Sequence, residues 1–223
     1  MNRLVRDIAD ELKQFITGKT VDTLIPPITY IIGNNIFGLK EGIILALTVA
    51  VILAILRIFK KESVLYALGG IGGVAVAAGF ALISQNAANY FLPQIIGSGA
   101  LFAVSVISVL IGKPLAAVIS HLARGWRFDW FLRKDIKPAY KEVTIVWAFL
   151  FLARLSLQLF LYRRGNLTEL GWASILLGFP ATLSVLIISL VFGVWRLKSL
   201  AGPGIDEYLE GKSPPWEGQK KGF

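Results

Sequence analysis

The chain has no cysteine and only one histidine. Without cysteine there is no disulfide, no thiol redox chemistry and no thiolate metal site. One histidine, His121, cannot build a metal cluster or a Ser/His/Asp set alone, so no metal and no other cofactor is expected. Acidic residues are missing from one place in particular. All 14 Asp and Glu residues lie outside the cores of the long apolar runs, the nearest being Asp22, Glu41, Glu142 and Glu169. Transporters coupled to protons or sodium commonly hold a carboxylate inside the membrane, so this absence weighs against that class. The connections on one side offer Glu41, Glu169 and little else for catalysis, and no enzyme activity is expected.

What the chain does have is apolar length. Hydrophobic residues make up 55% of it, charged residues 17%, and the mean hydropathy is +0.66. Five clear runs cover 42–56, 64–83, 91–111, 143–162 and 170–195. A sixth, 24–37, is shorter and carries Pro26, Pro27, Asn34 and Asn35; a re-entrant segment is the alternative there. The tight turn that 38–41 would make separates it from the next run, and it is counted as a span. A bilayer core roughly 30 Å thick takes about 20 apolar residues per helix. The expected fold is therefore all-α, a polytopic membrane bundle of six transmembrane helices.

The basic residues orient it. Arg3, Arg6, Lys13 and Lys19 precede the first run; Arg57, Lys60 and Lys61 follow the second; those from Lys113 to Lys141 follow the fourth; Arg196, Lys198, Lys212, Lys220 and Lys221 follow the sixth. Only Lys40, Arg163 and Arg164 fall on the opposite side, with Arg154 inside a run. Lys and Arg in short loops mark the cytoplasmic side, which gives N-in and C-in. The net charge of +9 follows from that topology and from attraction to anionic headgroups, and no nucleic-acid partner is expected.

Outside the runs, residues 1–20 carry Leu4, Ile8, Leu12 and Phe15 at helical spacing, an amphipathic segment for the membrane surface, or a solvated helix, rather than a secretory signal. The 21–200 transmembrane domain contains one large basic loop, 112–142. There Lys113-Pro114 opens a helix with Leu115, Val118, Ile119 and Leu122 on one face. Lys113, Arg124, Trp126, Arg127, Trp130, Arg133 and Lys134 then mix aromatic and basic side chains. That mixture reads as an interfacial helix and headgroup-level surface between helices 4 and 5, or as a contact for a partner protein. Residues 201–223, rich in Gly, Pro, Lys and Glu, are expected to be disordered.

Two intramembrane features stand out. Gly69 and Gly73, four apart, would let helix backbones approach closely. Trp147, Phe151, Arg154, Gln158 and Tyr162 share one helical face. A charge at mid-span costs several kcal/mol unless it faces the bundle or water. Arg154 with Gln158, Tyr162, Trp147, Asn34 and Asn35 is thus the candidate polar site. It would either hold an anion or pin helices through backbone carbonyls or the two asparagines. Gln94 adds a polar group in another span.

Three blocks carry a resemblance. They are Leu24-Ile-Pro-Pro-Ile-Thr-Tyr30, Ile111-Gly-Lys-Pro-Leu115, and the run from Trp147 to Tyr162, joined by Tyr66-Ala-Leu-Gly-Gly-Ile-Gly-Gly73. The chain resembles domain of unknown function 3159, a family of bacterial integral membrane proteins, itself distantly similar to intracellular septation protein A. The resemblance implies an inner-membrane bundle of five to six helices. It also implies a role in envelope maintenance or septation through partners, possible division proteins among them. No catalytic residue is carried over, and septation-protein-like sequences place an Asn at the Gln158 position and an apolar residue at that of Arg154.

Overall fold

The computed structural model describes residues 21–223, which are helical with no strand among them. The helices are α1 (Ile25–Phe37), α2 (Leu39–Phe59), α3 (Val64–Ser84), α4 (Leu92–Leu110), α5 (Leu115–Arg124), α6 (Phe128–Phe131), α7 (Lys137–Arg164), α8 (Leu167–Leu176), α9 (Phe179–Leu200) and α10 (Ile205–Leu209). Short 3-10 turns precede α1 (Val21–Leu24) and α4 (Ala87–Phe91). Among the described residues five segments are long and apolar enough to cross a membrane: Leu39–Phe59, Val64–Ser84, Ala87–Leu110, Lys137–Arg164 and Leu167–Leu200. The expected sixth span is not among them. Its helix, α1, has 13 residues, about 20 Å at 1.5 Å per residue, because Pro26 and Pro27 can stand only in a first turn. The expected amphipathic segment 1–20 lies outside the described residues.

The chain divides into two units, and the boundary falls inside α4, α7 and α9. Within the described residues, the first unit comprises 21–97 and 154–181. Its core gathers Tyr30, Ile31, Ile43, Tyr90, Phe91 and Leu170. Gly38, at φ +97°, turns α1 back along α2, and the helices touch through glycine: a Cβ on Gly42 would stand 2.7 Å from the Asn34 amide nitrogen. Tyr30 stacks on Tyr90 with ring centres 3.8 Å apart and donates to the Ala87 carbonyl at 2.8 Å. At the far end of this hairpin Asp22 meets Arg57 at 3.8 Å. The start of α1 therefore reaches the end of α2 that leads into Lys60 and Lys61. The close approach expected at the glycines of α3 is not seen among the described residues, none of which lies within 4 Å of a Cβ built on Gly69, Gly72 or Gly73.

The second unit comprises 98–153 and 182–223. Its core is Trp130, Phe131, Ile136, Tyr140, Val143, Leu197, Ile205 and Phe223. α4 ends in a Schellman motif, with the Gly112 amide bonding to Val109 and the Lys113 amide to Ser108. Gly112 takes φ +76°, where a side chain is disfavoured. Pro114 then starts α5, whose first amides are satisfied from elsewhere. Leu115 donates to the Ser108 hydroxyl at 3.0 Å and Ala116 to the Thr144 hydroxyl at 3.1 Å. These bonds lock α5 so that Ala116 and Ala117 are buried, while Ile119 and Leu122 of the expected apolar face point outward.

The expected disorder of 201–223 is replaced by packing. Trp130 donates its indole N–H to the Pro203 carbonyl at 3.0 Å, Phe223 stacks on Tyr140 with centres 4.2 Å apart, and Arg124 bonds to the Phe223 and Lys221 carbonyls. Composition alone favours disorder there. Three apolar anchors, Pro203, Ile205 and Phe223, reverse it by entering a core made by another segment.

Candidate functional site

The polar site is built on α7 and on a break in the last apolar segment. Residues 167–200 would make one long helix, but Pro180 lacks an amide hydrogen and sterically opposes the preceding turn. The helix accordingly stops at Leu176 and restarts at Phe179. In the first unit this break meets two glutamines. Gln94, on α4, donates to the freed Ser174 carbonyl at 2.8 Å. Gln158, on α7 and fully buried, donates to the Ser174 hydroxyl at 3.1 Å. Tyr162, one turn on, donates to the side-chain oxygen of Asn89. A buried amide left without a partner costs about 1–3 kcal/mol, so the break and the glutamines stabilise one another.

Arg154 opens the first unit's part of α7. It is half-buried, and its Nε is enclosed without a hydrogen-bond partner among the described residues. Of the alternatives for Arg154, a link to the asparagines is not seen among the described residues: Asn35 donates instead to the Thr168 hydroxyl at 2.9 Å, on an exposed face. Asn34 contributes its backbone to the Gly42 contact. Trp147 belongs to the second unit, where its indole donates to Ser189 at 2.8 Å. The structure thus brings Gln158 and Tyr162 into buried networks of one unit and puts Trp147 in another network. Sequence reasoning missed Ser174, Asn89 and Ser189. The signal available was Gly178-Phe-Pro180 inside an apolar run, the mark of an interrupted helix.

The aromatic and basic residues of the loop fold inward more than expected. Trp130 is fully buried, so it is no surface contact. Arg124 binds the tail and lies 5.0 Å from the Trp126 ring. Arg133 holds Asp135 in a two-bond pair at 2.9 and 2.7 Å and lies over the Tyr208 and Trp216 rings. The hydrogen bond to Asp135 raises its pKa further above the ordinary arginine value. Lys113, Arg127 and Lys134 remain exposed. In the tail, Glu207 accepts from the amides of Glu217 (2.8 Å), Gly204 (2.8 Å) and Gly218 (3.1 Å). These backbone bonds, led by that of Glu217, hold its pKa below the usual carboxylate value. No group of three or more His, Cys, Asp or Glu side chains among the described residues could hold a metal.

Residues 17–198 match the family described as protein of unknown function, DUF3159. The chain belongs to this family. The match covers α1 to α8, all but the last two residues of α9, and the basic loop, and stops before the packed tail. No curated protein and no solved structure matches the chain.

Proposed function

We propose that this member of the family is a non-enzymatic, multi-pass protein of a bacterial inner membrane that serves envelope or septation-related upkeep by holding partner proteins or anionic lipid on its basic side. The observation that carries this reading is the platform that residues 113–142 make with the tail. Its aromatic core buries Trp130 and Phe131 while Lys113, Arg127 and Lys134 stay exposed. A loose connector would need no such core, whereas a binding surface gains from rigidity.

The orientation we favour has both ends in the cytoplasm, with α1 as a sixth crossing. The pairing of Asp22 with Arg57 supports it. The 3-10 turn and α1 together extend about 27 Å at 2.0 and 1.5 Å per residue, close to the roughly 30 Å hydrocarbon core. The outward apolar side of α5, with Ile119 and Leu122 exposed beside Arg124, suits a helix lying at the interface.

Photo-crosslinking from Arg127 and Lys134 in living cells tests the reading. A discrete adduct with an envelope or division protein, lost when Lys113 and its exposed neighbours are reversed in charge, is the expected result. A second reading, a small transporter or channel, is favoured by the broken helix at Gly178 and by the enclosed Nε of Arg154. If no adduct forms and reconstituted liposomes pass an anionic solute until Arg154→Leu is introduced, the second reading replaces the first.

A further inference from the structure

We propose that the groove between α4 and α7 in the second unit binds an acyl chain of an anionic phospholipid whose phosphate is held by Lys113 and Lys141. The inference rests on the reading above that the chain crosses a bilayer with its basic residues on one side. The groove encloses about 250 Å³ and is lined by apolar side chains, Phe102, Val106 and Val109 on α4 and Ile145, Phe149 and Leu152 on α7. It is hollow for a local reason. Ala148, among its lining residues on α7, is too small to fill the space between the two helices. From Phe102 to Leu110 the groove runs about 12 Å along α4 at 1.5 Å per residue. Half of a 30 Å hydrocarbon core is about 15 Å, so the groove spans most of one leaflet.

The positive charge lies at one end of it. On α7, Lys137, Lys141, Ile145, Ala148 and Leu152 follow at spacings of four, four, three and four, which is a single helical face. Lys141 therefore stands one turn beyond the groove's last α7 residue, and Lys113 stands three residues beyond Leu110 of α4. Lys137 is used elsewhere: its Nζ would lie 3.0 Å from a Cβ on Gly112, at the carbonyl end of α4, where a cation is favoured. The carboxylates nearest in sequence are engaged, Glu142 with Arg196 at 2.8 Å and Asp135 with Arg133 at 2.7 Å. Lys113 and Lys141 are exposed and have no acidic partner among the described residues. An apolar slot of nearly one leaflet's depth ending in two exposed ammonium groups matches a phospholipid with net negative charge. A neutral choline lipid would bring its own cation against the lysines.

The experiment uses the full chain, purified in detergent, delipidated and exposed to dioleoyl phosphatidylglycerol or dioleoyl phosphatidylcholine, with bound lipid counted by native mass spectrometry. Wild type is expected to retain the glycerol lipid at least fivefold better than the choline lipid. Lys113→Gln with Lys141→Gln, both on exposed side chains, is expected to abolish the preference while leaving chain binding. Ala148→Phe, which fills the slot, is expected to reduce retention of both lipids. Equal retention of the two lipids by wild type overturns the inference, as does an undiminished preference in the double variant. Alkaline carbonate extraction of native membranes separates the two levels: release of the chain from the membrane would sink the bilayer reading itself, whereas integration without lipid preference sinks only this site.

Discussion

Gln158 and Ser174 show how a single polar pair can decide a membrane helix's neighbours. Interhelical hydrogen bonds within a bilayer are worth about 0.6–2 kcal/mol. Gln158→Leu should therefore lower the thermal midpoint in detergent by a few degrees, with Ser174→Ala close behind. A double-mutant cycle should return a coupling of about 0.5–2 kcal/mol; additive losses would mean the bond contributes nothing. Glu207 makes a pH prediction. Its pKa is lowered in the folded tail, so its contribution is fully present above the ordinary value of 4.5 and is lost as pH falls through the lowered folded value. Acidification below pH 4.5 should release the tail, which limited proteolysis between Gly204 and Gln219 would detect. Glu207→Gln should make the tail cleavable at neutral pH and remove that acid step. At this scale the sequence was a partial guide. Arg154 and Gln158 announce themselves as polar groups in an apolar run. Ser174 and Asn89 do not, because serine and asparagine near helix ends are ordinary and only tertiary placement gives them partners.

Among the elements, α2, α3, α4 and α7 were legible because long apolar runs have few alternatives in a chain this hydrophobic. Two elements were less so. The apolar run 24–37 marks α1, but its 13 residues are too few to satisfy a length rule for a span, and what relates it to α2 is a close glycine contact that no hydropathy window registers. The tail misled because its composition is polar, while a few buried residues fix its place. Those residues give a prediction. Phe223→Ala removes a ring stacked on Tyr140 and should cost about 3 kcal/mol of the second unit's stability. Gly193→Leu should do similar damage, because a Cβ there would meet the Phe223 ring at 2.2 Å. Differential scanning fluorimetry should register either change as a clear drop in the unfolding midpoint. A tail that is merely tethered would leave both variants at the wild-type value.

The whole molecule is read as a membrane bundle with one basic side, and its charge asymmetry was visible before any coordinate. Hydropathy identifies what enters the bilayer and Lys and Arg identify the side; neither identifies which side chains meet, which is why the candidate polar face of α7 divides between two units. The absence of cysteine makes the central claim directly testable, since every introduced thiol is unique. Single cysteines at Lys40, Lys134, Arg164 and Lys220 would be labelled with a membrane-impermeant maleimide in right-side-out and inverted vesicles. The account predicts that positions 134 and 220 react only in inverted vesicles and positions 40 and 164 only in right-side-out ones. Reaction of 40 and 134 from the same side would contradict it.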